Sequence, residues 1–177
     1  MKSKSLLESI SARSFEDLCE IVAPVDEPMA WAVVTLKEGE YLHTDGSILS
    51  MVQHMASCKI MYASAAFLGG AVRWRDCAEK YDEIGVDWRR SVEDLHEAHR
   101  FWLDSWSSLG DDDLESSRLT IRGRELPAWR IIGTVAQHDA YHAGQIEILK
   151  STLSPSSTPP PLLGDDIRAN CRDLPNW

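Results

Sequence analysis

Apolar residues recur at alternating spacings of three and four along three long stretches, the period of an amphipathic helix. Met51, His54, Cys58, Met61, Ala65 and Leu68 share one face of the first. Val92, Leu95, His99, Trp102, Trp106 and Leu109 share one face of the second, and Ile131, Val135, His138, His142, Gln145 and Leu149 of the third. The flanking residues supply starts and stops. Asp45-Gly46-Ser47 offers turn and N-cap chemistry before the first stripe, and Gly69-Gly70 ends it. Ser91, with Asp94 three residues on, opens the next helix, which runs to Gly110; Pro127 opens the last, which ends before Pro155. A further helix is expected over roughly residues 4–22, where Ser5…Glu8 and Ser14…Asp17 are both spaced like capping boxes. Two such starts so close together predict a break near Arg13.

Four amphipathic helices with buried stripes predict an all-α domain of helix-bundle type over residues 1–153, with loop insertions between the helices. Residues 28–37 are ambiguous between helix and strand, and Leu119 to Leu126 suits a small hairpin around Gly123. The Ser/Pro-rich run SPSSTPPP at 154–161 cannot continue a helix, so 154–177 reads as a tail. Leu162, Leu163, Ile167 and Trp177 give it apolar anchors for packing on the bundle; otherwise it trails away.

Composition narrows the function classes. A chain of 177 residues with 44% hydrophobic residues can bury a core without disulfides. The four cysteines form no CxxC pair, and in a reducing compartment they are free thiols. No stretch approaches a membrane span, and Glu8, Arg13 and Glu16 interrupt any signal-like apolar region near the N-terminus, so the cytoplasm is expected. The net charge of −10 repels phosphate backbones, and no compensating basic cluster stands out. Nucleic acid and anionic membranes are therefore not expected partners.

The candidate chemistry lies in three histidines. His138 and His142 are one helical turn apart, a spacing at which two imidazoles can grip one ion. Both occupy a core stripe where Leu or Ile would pack better, and His54 does so on another helix. Three such residues either converge on a metal or are separate buried histidines, each hydrogen-bonded in the core. Stripe geometry alone leaves both open.

Asp45-Gly46-Ser47-Ile48 leading to Gln53-His54-Met55, and then His138-Asp139-Ala140-Tyr141-His142-Ala143-Gly144-Gln145-Ile146, resemble the DinB-like (damage-inducible, YfiT-type) superfamily. Its pattern is a histidine early in the second helix, followed much later by HxxxHxGQI or a close variant. The resemblance covers roughly residues 45–153. It implies a four-helix bundle of DinB/YfiT type with a mononuclear three-histidine metal site, matched here by His54, His138 and His142. Members of the family are often homodimers, and some relatives are transferases or isomerases that use low-molecular-weight thiols.

Three neutral imidazoles suit zinc, nickel or iron(II), with availability favouring zinc. Such an ion can activate either water or a thiol. A metal-dependent enzyme acting on a small molecule, of thiol-transferase type, is the leading expectation. A hydrolase, or a non-catalytic metal- or ligand-binding stress protein, is the alternative. Cys58, one turn beyond His54, is either a fourth ligand or a small buried hydrophobe. Gln145 either contacts substrate or orients bound water, or else caps the core, and Tyr141, pointing towards an adjacent helix, is a candidate support to the site or wall of the substrate pocket. Asp139 is expected at the surface rather than supporting a histidine on another helix. His99 is expected as a satisfied core histidine or a support to the site, while His43 and His96 carry no signal. Trp102 and Trp106 are expected in the core, with the walls of a substrate pocket as the alternative.

Overall fold

The computed structural model describes residues 3–33 and 46–177, and Asp45, His43 and the later part of the 28–37 stretch lie outside the described residues. The protein is mainly helical. In chain order its helices are α1 (Ser3–Val22), α2 (Glu27–Ala30), α3 (Ile48–Phe67), α4 (Trp74–Ile84), α5 (Trp88–Trp106), α6 (Ala128–Thr152) and α7 (Leu163–Cys171). A 3-10 turn, Asp111–Glu115, leads into a hairpin of β1 (Ser117–Leu119) and β2 (Glu125–Pro127), the only sheet among the described residues.

Local chemistry explains most boundaries. The Ser47 hydroxyl accepts the Ser50 amide and starts α3, as expected. α5 begins before Ser91, because Asp87 caps it by accepting from the Arg90 amide. Ser91 instead lies inside the helix, where its hydroxyl donates to the Asp87 carbonyl. The break expected near Arg13 is absent. Ser14 bonds back to the Ser11 carbonyl within the helix, and Arg13 pairs with Asp17 one turn on, so the apparent second cap supports a continuous α1. The ambiguous stretch begins as helix: α2 is capped by Asp26 and carries Pro28 in its first turn. The hairpin turns at Gly123, whose φ of +74° few other residues tolerate, with Leu119 opposite Glu125.

α4 was not anticipated. Asp76 accepts the Arg73 amide at its start, and Trp74, Cys77, Ala78, Tyr81 and Ile84 bury one face. The tail contributes α7, which packs on α4. Arg168 pairs there with Asp82, and the Trp74 amide donates to the Asn176 carbonyl.

The four long helices pack in a chain of neighbours: α1 on α6, α6 on α3, and α3 on α5. Phe15 of α1 stacks on His99 of α5, bringing those two helices together as well. The core divides into two apolar clusters. The larger holds Leu18, Met51, Met55, Leu95, Ile146 and Leu149 with much of α4 and α7. The smaller holds Ala66, Trp102, Trp106, Ile131, Ile132 and Val135. Helix α6 crosses from the smaller to the larger through His138, Asp139 and His142, α5 crosses at His99, and α3 carries Cys58 and Lys59 near its own crossing. A polar layer therefore cuts through the middle of the helices.

Candidate metal centre

His54 projects from α3, and His138 and His142 from successive turns of α6. The packing of α3 on α6 brings the three rings together. The Nε2 atom of His138 lies 3.2 Å from Nε2 of His54 and 3.2 Å from Nε2 of His142. One donor atom from each ring falls within 4.8 Å of the other two, and this is the one such cluster of potential ligands among the described residues. A single imidazole nitrogen carries at most one proton, so His138 Nε2 cannot donate to both neighbours at once. Three nitrogens around a common point are instead the arrangement a cation accepts. An ion about 2.0–2.1 Å from each nitrogen would see the 3.2 Å separations at angles of about 100–106°, near tetrahedral. The residues fit a divalent metal.

Cys58 is adjacent but outside this set. Its Sγ lies 3.7 Å from His54 Nε2, close to the ~3.6 Å expected between nitrogen and sulfur ligands of one tetrahedral ion. However, the group of donors within 4.8 Å of one another leaves Cys58 out. Burial, the largest cause, pushes its thiol up to about 12, so without a cation beside it the sulfur holds its proton. Cys58 is a wall residue in this geometry.

His54, His138 and Cys58 border a cavity of about 460 Å³, within the size range of small-molecule sites. Tyr62, Trp74, the hairpin residues Thr120, Ile121, Arg122, Arg124 and Leu126, and Leu163, Ile167 and Cys171 of α7 form other walls. His142, 1% exposed, lies behind and does not line it. A metal held by the three histidines would keep one side towards this cavity.

Other expected residues fall elsewhere. Tyr141 is exposed, and its hydroxyl accepts from the Gln145 amide 3.2 Å away on the same helix; neither side chain lines the cavity. His99 is buried against Phe15, the rings parallel with centroids 3.6 Å apart. Burial, with Lys59 and His96 adding to it, lowers its pKa to about 3, so it is a neutral core histidine, but not the satisfied one expected, since its buried Nδ1 has no hydrogen-bond partner among the described residues. Trp102 and Trp106 are core residues of the smaller cluster and do not reach the cavity, whose aromatic walls are Tyr62 and Trp74.

Asp139 corrects the expectation of a surface residue. It is buried between the two histidines of α6 and pairs with Lys59, itself fully buried on α3. The Lys59 ammonium also lies 5.5 Å from the Phe15 ring centroid. Lys59 was missed, although a signal exists: it is the only charged residue of α3, and a helix with a single charge is surrounded by protein on all sides. The pair ties α3 to α6 at the height of the histidines. The expectation of no basic cluster is corrected too, since Arg122, Arg124 and Arg130 all line the cavity.

No family model, curated protein or solved structure matches this chain.

Proposed function

We propose that the protein is a four-helix bundle of the DinB type that holds one divalent metal, zinc before nickel or iron, on His54, His138 and His142. It would act as a metal-dependent enzyme on a small molecule, with a low-molecular-weight thiol as cosubstrate. One observation carries this reading: three imidazole nitrogens from two helices converge within 4.8 Å of one another, two of the separations being 3.2 Å, on the border of a cavity. When bound, the ion supplies a Lewis-acid position that lowers the pKa of a thiol or water.

The chain's own residues do the rest. His142 is buried behind the cavity while His54 and His138 border it, an arrangement that suits an open site rather than a closed structural one. Lys59 and Asp139 fix the separation of α3 from α6, and with it the distance from His54 to the other two histidines. Cys58, outside the three-histidine set, gives the cavity a compact wall. No described helix is long and apolar enough to cross a membrane, which is compatible with the cytoplasmic placement we propose. A homodimer is part of the same proposal. Leu6 and Ile10 on α1, and Tyr141 and Ile148 on the neighbouring α6, leave exposed apolar surface for it.

The test is metal content. Protein purified without chelator should carry about one ion per chain, and His138→Ala should carry none while keeping its helical circular dichroism. Unchanged metal in the variant would sink the assignment. A physiological thiol added to the cobalt-substituted protein should add a thiolate charge-transfer band, and its absence would remove the thiol from the proposal.

A further inference from the structure

The protein carries a net charge of −10, yet the cavity beside the histidines is lined by Arg122, Arg124 and Arg130 against a single carboxylate, Asp166. None of the three arginines, all of them exposed, takes part in an ion pair among the described residues. Two sit on the hairpin turn, on either side of Gly123. That glycine's backbone is held open at φ +74°, and a Cβ there would meet Pro175 at 3.0 Å. The third belongs to the first turn of α6. Arg122 and Arg124 both act electrostatically on the Tyr62 hydroxyl, and Arg122 on the Cys171 thiol, so their charge is felt inside the cavity. The wall also contains Trp74, 4% exposed, whose indole N–H has no hydrogen-bond partner among the described residues. Every such group is a donor or a cation. No lysine contributes; the cations are all guanidiniums, whose fork matches the two oxygens of a carboxylate or phosphate.

We propose that this cavity is an oxyanion subsite: the substrate is a small molecule whose carboxylate or phosphate group is held by Arg122, Arg124 and Arg130, with its other end towards His54 and His138. The inference deepens the proposed metal function and rests on it only for the end that faces the histidines. An acidic surface repels small anions, so a local reversal of charge at the cavity that His54 and His138 border selects for them.

The experiment is isothermal titration of succinate and of inorganic phosphate, with succinamide as the uncharged control, into protein with its metal and into chelated protein. At least one anion should bind, with succinate and phosphate deciding between carboxylate and phosphoryl recognition. Arg122→Ala, Arg124→Ala and Arg130→Ala should each weaken binding about tenfold without altering metal content, and added salt should weaken it further. Arg13→Ala, outside the cavity, should change nothing. The subsite is refuted if succinamide binds as well as succinate, if the three variants bind like the parent, or if neither anion binds up to about 10 mM. Arginine-dependent anion binding to a protein that holds no metal would uphold the subsite and overturn the metal reading. Stoichiometric metal with arginine-independent binding would do the reverse.

Discussion

Replacing the buried pair should reveal what holds the polar layer together. The Lys59 and Asp139 side chains are 0% and 2% exposed, so neither charge is relieved by solvent. For both groups burial is the dominant influence: it lowers the pKa of Lys59 and raises that of Asp139, and mutual attraction opposes but does not overcome it. Burying the pair costs both groups their hydration, which their attraction repays only in part. Removing one partner strands the other charge, at a cost of about 3–5 kcal/mol. That is a large part of the ~5–15 kcal/mol that keeps a domain folded. Replacing both by apolar residues removes both desolvation terms and should be neutral or stabilising by about 1–4 kcal/mol. Urea unfolding of Lys59→Met, Asp139→Leu and the double variant, all under chelator, measures the cycle. The expected pattern is two strongly destabilised single variants and a double variant close to the parent. Additive losses, with the double worse than either single, would refute the reasoning, as would single losses below about 1 kcal/mol. The double variant should nonetheless bind metal about tenfold more weakly, because nothing then fixes α3 against α6 at the height of the histidines.

Acid should destabilise the fold partly through His99. Its folded value of about 3 lies below the ordinary 6.5, so between those values the unfolded chain binds more protons. Stability should then fall as pH drops through that window, by at most about 1.4 kcal/mol per unit. His99→Leu should flatten this slope in chelated protein, and an unchanged slope would show that His99 is not the neutral group. Docking of α7 can be tested at Gly164, where an added Cβ would lie 2.8 Å from the Ala78 carbonyl and against Asp82. Gly164→Ala should cost about 1–3 kcal/mol and speed protease cleavage within residues 154–162, and parental resistance would contradict the close α4–α7 packing.

The features that were legible in the sequence are those carried by local pattern. The stripes of α3, α5 and α6, the Ser47 cap and the Gly123 turn depend on residues a few positions apart. The three histidines were legible as candidates because each replaces a hydrophobe on a stripe. Their convergence depends on how α3 and α6 pack, which no spacing within one helix states. Other failures have separate causes. Ser14 and Asp17 can cap a helix or lie within one, and only the flanking chain decides. α4 has a clear apolar face, but its eleven residues lie between Gly70 and Gly85, where a linker was equally consistent. Arg122, Arg124 and Arg130 are close in sequence, yet Glu125 among them masks the cluster until the hairpin turns them to one cavity.

The polar layer ties these findings together. A helical bundle of this length gains most by filling its middle with Leu and Ile, and two apolar clusters joined through that level would make one core. Instead the level holds three histidines, a buried ion pair and the neutral His99. Their energetics differ in kind. His99 stays uncharged and is covered by Phe15, but its buried Nδ1 has no hydrogen-bond partner among the described residues, so it too costs stability. A buried ion pair such as Lys59 and Asp139 is weak evidence for stability, because apolar residues of similar size often serve the fold as well or better. The histidines crowd their nitrogens around one point, where an ion would convert repulsion into binding energy. The ion pair and the histidines occupy the same two helices at the same height. The stability forgone at Lys59 and Asp139 is thus best accounted for as the means of holding His54 opposite His138 and His142, beside the cavity.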